Sequence, residues 1–425
     1  MLTDRLTRDL FTEICRIPLL DPHSHINPLK AAAKSLDDIL GYHYYTELAH
    51  SAGMSQEPLG EGVPPRIRVR AILEHLDRLD NTVQYGWFLE IAQAFLGFKG
   101  SRVSAADCDW LCDAADRLMA QADWEEQVLR KTHVEKIFLT NDFDDPLSDF
   151  DTRRYVPCLR TDDLVFHFDK RATRQRLARA TNIEATNAQQ LQDAVGKLFR
   201  HFLEHGAKAC AISLPPDFTP GPVSQFDLTI YLGELMAGNE DASVKRAFAN
   251  GVFWMLAEFC RDFKLPFDLM IGVNRRVYRT GVYQGQDLFD QRTSLIQYAE
   301  LFNAFPEVTF PISVLTSAQN QELVSYSWIF PNVVTNGHWW YSNIPAYITH
   351  DTKARLQAVP KTKQLGYYSD AYKLEFILPK YNMYRRILAQ ILADDFVRPG
   401  VYSEAKALAL ARLLLRENTE RIFGV

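Results

Sequence analysis

Eight short apolar runs rich in β-branched residues, each bounded by charged or turn residues, recur along this 425-residue chain. That recurrence limits the architecture more than any other feature. The runs are IPLLDPH (17–23), VEKIFLT (134–140), RYVPCLR (154–160), KACAISL (208–214), PFDLMIGV (266–273), VTFPISVL (308–315), NVVTNG (332–337) and GYYSD (366–370). Most are separated by segments with apolar residues at three- and four-residue spacing, such as LQDAVGKLFRHFLEHG before the fourth run and VFWMLAEFCRDF before the fifth. This is the period of a helix with one buried face. Strand and helix in alternation build βαβ units, and eight such units close into an α/β fold, a (β/α)8 TIM-type barrel, in which no strand is left as an edge.

A single barrel domain spanning 1–425 is therefore expected, although the length alone would also suit two or three average domains. The spacing is uneven between the first and second runs. The segment 30–131 contains SLDDILGYHYYTELAHSAG, RIRVRAILEHLDRL and NTVQYGWFLEIAQAFLGF, which predict a helical insertion lying over the barrel mouth, where long βα loops commonly help form a site. The alternative is a separate helical subdomain with no contact to the site. After the last run, FILPKYNMYRRILAQILADDF and EAKALALARLLLRE predict two closing helices.

Composition narrows the class of partner. With 47% hydrophobic and 24% charged residues the chain has core material for a globular protein. The 47 Lys+Arg against 53 Asp+Glu give a formal charge of -6, with no long basic run, which argues against a nucleic-acid partner. No apolar stretch approaches the roughly 20 residues that cross a bilayer. The N-terminal MLTDRLTRDLFTEIC is charged throughout, unlike a signal peptide. No membrane partner is expected, and the protein is placed in the cytoplasm. Cys15, Cys108, Cys112, Cys158, Cys210 and Cys260 are scattered, and the close pair Cys108 and Cys112 has no second pair to complete a zinc set. They are expected to be reduced and mostly buried thiols.

The chemistry concentrates at the ends of the first and last runs. In LLDPHSHINP (19–28), His23 and His25 are two residues apart, so in extended chain they project to the same side and suit a divalent metal. A polar turn in which one histidine caps the chain is the alternative. Asp370 ends the eighth run, which neighbours the first when a barrel closes, and would bring a third ligand or a general base. On its own, Asp370 could equally cap a following helix. Trp339 and Trp340 follow the seventh run and could wall a site or simply pack in the core. Arg275 and Arg276, just past the fifth run, are candidates for an anionic contact, or are solvated like most arginines.

Taken in order, several stretches resemble the uronate isomerases (glucuronate isomerase), a divergent branch of the metal-dependent amidohydrolase superfamily. They are DPHSH (21–25), YHYYTEL (42–48), TNDFDDP (140–146), PCLR (157–160), SLPPDF (213–218), MIGVNRR (270–276), HWWYSN (338–343) and SDA (369–371). The likeness covers nearly the whole chain, and several stretches resemble a shorter-chain branch of the family. It implies interconversion of an aldohexuronate with its 2-keto isomer, D-glucuronate with D-fructuronate and D-galacturonate with D-tagaturonate, by metal-assisted proton transfer between C2 and C1. It implies His23, His25 and Asp370 as metal ligands, with Asp370 also sharing the proton work, and His43 and Tyr44 reaching the substrate from the insertion. Arg160 would bind the substrate carboxylate. Zinc is the first expectation for the ion, with manganese or another divalent metal compatible. The small-molecule partner is a sugar acid, and a homo-oligomer is compatible with this reading.

The sequence departs from the family pattern twice. The family commonly carries Asp-x-Arg at the last strand, whereas here Asp370-Ala371-Tyr372 offers a neutral donor. In the fifth run, Met270 stands where many members place a histidine. Two rival readings follow: a hydrolase or decarboxylase of the same superfamily using metal-bound water, or a non-catalytic sugar-acid binder. The hydrolase reading is weakened because Ser213-Leu214 and Met270-Ile271 supply no further histidine or bridging lysine.

Overall fold

The computed structural model describes residues 4–425. Its parallel strands fall in chain order: Leu19–Asp21, Val134–Phe138, a third split at Pro157 into Tyr155–Val156 and Cys158–Arg160, then Ala209–Leu214, Phe267–Ile271, Phe310–Val314, Val333–Asn336 and Gln364–Leu365. Each strand pairs with its successor, from the first with the second to the seventh with the eighth. Between eighth and first there is no ladder among the described residues. The chain just beyond each strand makes the join instead: Asp370 N–H donates to the His23 carbonyl (3.2 Å) and His25 N–H to the Ala371 carbonyl (2.8 Å). The architecture is a (β/α)8 barrel.

Alternation along the strands sorts side chains to the two faces. In the fifth strand Phe267, Leu269 and Ile271 pack outward against the helices, while Asp268 and Met270 occupy the alternate positions. An interior layer of Phe138, Val156, Cys158, Ala209, Ala211, Val334 and Leu365 is closed by Phe423 from the last helix, Asn418–Phe423. The Phe423 ring lies 4.8 Å from that of Phe138. The outer helices carry side-chain caps that satisfy their first N–H groups: Asn187 accepts from Gln190 N–H at the start of Ala188–Glu204, and Asp241 from Ser243 N–H at Ala242–Phe263.

Six helices fill the gap between first and second strands: Leu36–Leu40, His43–Ser51, Pro65–Leu73, Val83–Ile91, Cys108–Met119 and Trp124–Thr132. Their apolar faces share one core with Leu19 and with the closing helix Ile377–Ile391. The second closing segment is Glu404–Arg412, continued by a wider turn at Leu413–Glu417. All six cysteines are free, five of them buried. Among the described residues no helix is long and apolar enough to cross a membrane.

The eighth run is displaced from its predicted place. The ladder uses Gln364 and Leu365, and 366–370 lies beyond it. Gly366 N–H donates to the Leu414 carbonyl (3.0 Å) and Ser369 N–H to the Asp21 carboxylate (2.8 Å), so the segment bonds to the closing helices and the first strand rather than to the seventh. Tyr367 and Tyr368 are fully buried there, which gives a non-ladder segment the sequence character of a core strand.

Candidate functional site

Two and four residues past the first strand, the His23 and His25 rings stand edge to face with centroids 5.2 Å apart. The turn that carries them is pinned by its middle residue, since Ser24 Oγ donates to the Phe138 carbonyl at 2.8 Å. Thr140 Oγ1 lies 2.8 Å from His25 Nδ1, and Asp268 Oδ2 lies 3.8 Å from His23 Nδ1. Both Nε2 atoms then face Asp370 Oδ1, at 3.6 Å from His23 and 3.4 Å from His25. One ligand atom from each of the three residues falls within 4.8 Å of the others.

Asp370 reaches this position in the left-handed backbone region, with φ 50°. For a residue with a Cβ this costs about 1–3 kcal/mol and persists only where the surroundings impose it. Here they do. Its N–H is bonded to His23, its carbonyl accepts from Tyr42 Oη (3.1 Å), and its Oδ2 accepts from Tyr44 Oη (3.1 Å). Lys380, fully buried on the closing helix, donates to the Ser369 carbonyl at 2.8 Å and to the Asp370 carbonyl at 3.4 Å. Asp370 does not cap a helix: the next turn, Leu374–Phe376, starts from Lys373.

After these bonds are counted, Asp370 Oδ1 and His23 Nε2 are buried with no hydrogen-bond partner among the described residues. Orphaned buried polar atoms are costly, and two of them aimed at one point beside His25 Nε2 suit a shared cation. The donor set, two imidazoles and a carboxylate with an open side toward the cavity, therefore fits a divalent metal ion.

Electrostatics agree with that assignment. Burial pushes the His23 imidazole down to about 3, with the charges of His25 and Arg160 adding to the effect and Asp370 opposing it. Burial likewise pushes His43 down to about 3. Both rings are thus neutral near pH 7, the form that binds metal or accepts a proton. Burial tends to raise the Asp370 carboxyl, but the nearby His25 imidazole, then the charges of His23 and Lys380, outweigh it and hold it well below the usual carboxylate range. The Tyr44 phenol is pushed well above its ordinary value, first by burial and then by Tyr42 and Asp370, so it stays a hydrogen-bond donor. Burial pushes Lys380 down to about 8 against the opposing charges of Asp370 and Asp21.

A cavity of about 140 Å³ opens over the cluster, and nearly all the sequence-predicted residues meet there: His25, His43, Tyr44, Arg160, Arg275, Trp339, Trp340, Asp370 and Tyr372 line it. His23 lies beneath. Arg160 is part-buried and held by Asp162 at 3.1 Å, and Arg275 is held by Asp287 at 2.7 Å. Tyr372, at the position of the expected arginine, lies against His25 with ring centroids 4.9 Å apart. The turn before Trp339 depends on Gly337, at φ 45°, where a Cβ would meet the Tyr368 ring at 2.2 Å. Arg276 is not brought in. Its backbone N–H donates to Asp287 in a left-handed turn, and its exposed side chain does not line the cavity.

Sequence reasoning missed Lys380, Asp268, Gln284 and Asp287. Lys380 reads as an ordinary charge in a closing helix, and the one available signal is its place among the apolar and aromatic residues of FILPKYNMY. Asp268 is a carboxylate inside an otherwise apolar run. Gln284 and Asp287 lie in a connection with no periodicity from which position could be inferred.

The comparisons with known proteins follow the same line. The chain matches the glucuronate isomerase family over residues 1–423. A uronate isomerase of Brucella canis is 24% identical over 431 residues, covering 92% of this chain and 91% of that protein. The fold is shared with the uronate isomerase of Thermotoga maritima (TM-score 0.91, 18% identity, 99% and 98% of the two chains). It is also shared with the glucuronate isomerase of Caulobacter crescentus (TM-score 0.88, 17% identity, 99% and 95%). Matched from its first residue almost to its last, this chain belongs to the glucuronate isomerase family.

Proposed function

We propose that the protein interconverts aldohexuronates and 2-ketohexuronates, D-glucuronate with D-fructuronate and D-galacturonate with D-tagaturonate, in the cavity above His23, His25 and Asp370. The observation that carries this reading is the pair of orphaned atoms, His23 Nε2 and Asp370 Oδ1, converging with His25 at the base of a cavity that also holds two arginines. His23, His25 and Asp370 hold a divalent ion, zinc by preference for this donor set. When bound, that ion stabilises negative charge developing on the sugar's C1 and C2 oxygens.

The chain's own residues supply the rest. Arg160 binds the substrate carboxylate in a fork, with Arg275 as a second cation and Tyr372 as a neutral donor. In the reaction the C2–H bond breaks, its electron pair forms the C1–C2 double bond of an enediol, and the C1 carbonyl oxygen gains a proton. Return of a proton to C1 and loss of the C2 hydroxyl proton leave the ketose. Asp370, Tyr44 and His43 move these protons. The 3.1 Å bond between Tyr44 Oη and Asp370 Oδ2 links donor and acceptor, and His43 Nδ1 is buried without a partner among the described residues. Trp339 and Trp340 keep water from the enediol. The chain acts as one unit over 1–425, with 30–131 as an insertion that contributes His43 and Tyr44.

Incubation with D-glucuronate and D-galacturonate in deuterium oxide tests this. Ketose formation with deuterium at C1, read by NMR, is expected from wild type, with a loss of about 10⁴-fold or more in His25→Ala and Asp370→Asn. Absence of both conversion and exchange in a protein with its full complement of metal refutes the reading for these sugars and favours a different acidic substrate or metal-assisted hydrolysis.

A further inference from the structure

Lys380 is the least expected charge near the site. Its side chain is fully buried, and its three hydrogen bonds go to the Ser369 carbonyl (2.8 Å), the Asp370 carbonyl (3.4 Å) and the Tyr42 hydroxyl (3.3 Å), none to a carboxylate. The rings of Tyr42, Tyr44 and Trp87 surround the ammonium at 4.9–5.2 Å from their centroids. The charges of Asp370 and Asp21 offset part of the cost of burying this cation, but it bonds to neither carboxylate, and an apolar side chain of equal length would fill the space without that cost. What the ammonium adds is a directed attraction for two successive carbonyls at a turn the backbone does not otherwise prefer.

We infer that Lys380, with Tyr42, is a positioning residue that clamps the Ser369–Asp370 backbone in its left-handed turn and so aims Asp370 Oδ1 at His23 and His25. Other anchors hold the same turn from other sides, among them the His23 carbonyl, which accepts Asp370 N–H (3.2 Å). The buried Asp21 carboxylate accepts from Ser369 N–H (2.8 Å) and from the Ser369 hydroxyl, and Tyr44 Oη donates to Asp370 Oδ2. The Asp370 carbonyl, however, is held by Tyr42 and Lys380. Were it released, φ could relax to the ordinary right-handed region and swing the carboxylate away from the imidazoles. Lys380 thereby joins three parts of the fold at one atom: the closing helix that carries it, the segment beyond the eighth strand that it grips, and the insertion whose aromatic rings cage it. Its catalytic consequence rests on the isomerase reading above, but its geometric consequence is an effect on metal affinity.

The test uses full-length Lys380→Met and Tyr42→Phe, with zinc affinity measured by chelator competition, thermal unfolding, and kcat and KM for D-glucuronate. Lys380→Met is expected to bind zinc about 10–100-fold more weakly and to lose kcat by a similar factor, with KM within about threefold of wild type. Tyr42→Phe should show a smaller loss of the same kind. A folded Lys380→Met whose zinc affinity stays within about twofold of wild type, whatever its melting temperature, reduces the residue to packing and overturns the inference. Should Lys380→Met fail to fold, Tyr42→Phe decides, and wild-type zinc affinity in that variant overturns the clamp. A wild-type protein that binds zinc but converts neither uronate defeats the isomerase reading while leaving the affinity test of the clamp intact. A wild-type protein that binds no divalent ion defeats both.

Discussion

At the base of the cavity Asp370 has one oxygen open and every other polar atom bonded to the protein, whereas the opposite wall, 275–290, is held at few points. That wall is a hairpin whose ladder is Val273–Asn274 against Leu288–Phe289, with a further cross-strand bond from Tyr278 N–H to the Gln286 carbonyl (3.0 Å) and a bond from Tyr341 Oη to the Asp287 carbonyl (2.7 Å). Tyr283 is 85% exposed, and Arg276 and Gln284 take left-handed backbone angles. Its ties to the insertion include a Gln56 side-chain bond to the Thr280 carbonyl and the Tyr278 ring stacked on His50. The base is strained and over-determined, the wall accommodating. A site built this way fixes its chemistry in the part that cannot move and leaves substrate fit to the part that can.

On that division, Tyr44→Phe should give the largest effect among variants that leave the three proposed metal ligands in place. It deletes the hydrogen bond to Asp370 Oδ2 and a proton donor together. A fall in kcat of about 10²–10³-fold with little change in KM is expected from loss of positioned proton transfer. Steady-state kinetics with D-glucuronate checks it, and a change confined to KM would move Tyr44 from the chemistry to substrate fit.

Arg160→Met separates base from wall from the other side. Loss of a charge-assisted bond to the carboxylate, about 1.5–3 kcal/mol, should raise KM by roughly 10–100-fold. Arg275→Met should do less, because its side chain is 51% exposed against 36% for Arg160 and its contacts are the more screened by solvent. Equal effects of the two variants would show that the hairpin binds substrate as firmly as the barrel does.

The base was far more legible in the sequence than the wall, for a physical reason. His23 and His25 follow a strand that pattern alone locates, and the period of two puts them together. Asp370 was reachable because barrel closure makes the eighth strand a neighbour of the first. Its backbone angle was not, since no periodicity records a left-handed residue outside glycine, nor was the shift of the eighth ladder to Gln364 and Leu365, which buried tyrosines disguise. Lys380 escaped because a helix charge normally points to water. Arg276 was paired with Arg275 on adjacency alone, and a turn between them sent the two side chains different ways.

The smallest expected effect concerns the seam between insertion and wall. Glu47, on helix His43–Ser51, packs beneath the hairpin, where a Cβ on Gly285 would come within 2.9 Å of its own Cβ. Burial pushes its carboxyl up to about 8 from an ordinary 4.5, opposed in part by the neighbouring Trp340 side chain and helped by the charge of Asp287. The folded protein therefore holds a proton here that the unfolded chain releases at lower pH. Stability from this group is greatest below about 4.5, falls as pH rises through about 8, and is level above it. Asp21, raised by burial to about 6, and Asp268, raised by burial to about 7, slope the same way, so the contribution is read as a difference. Melting temperatures of wild type and Glu47→Gln should converge at low pH and separate as pH rises toward 8, with the variant the more stable. Parallel curves across that range would mean that Glu47 is solvated through the hairpin, and that this wall opens further than its few ties suggest.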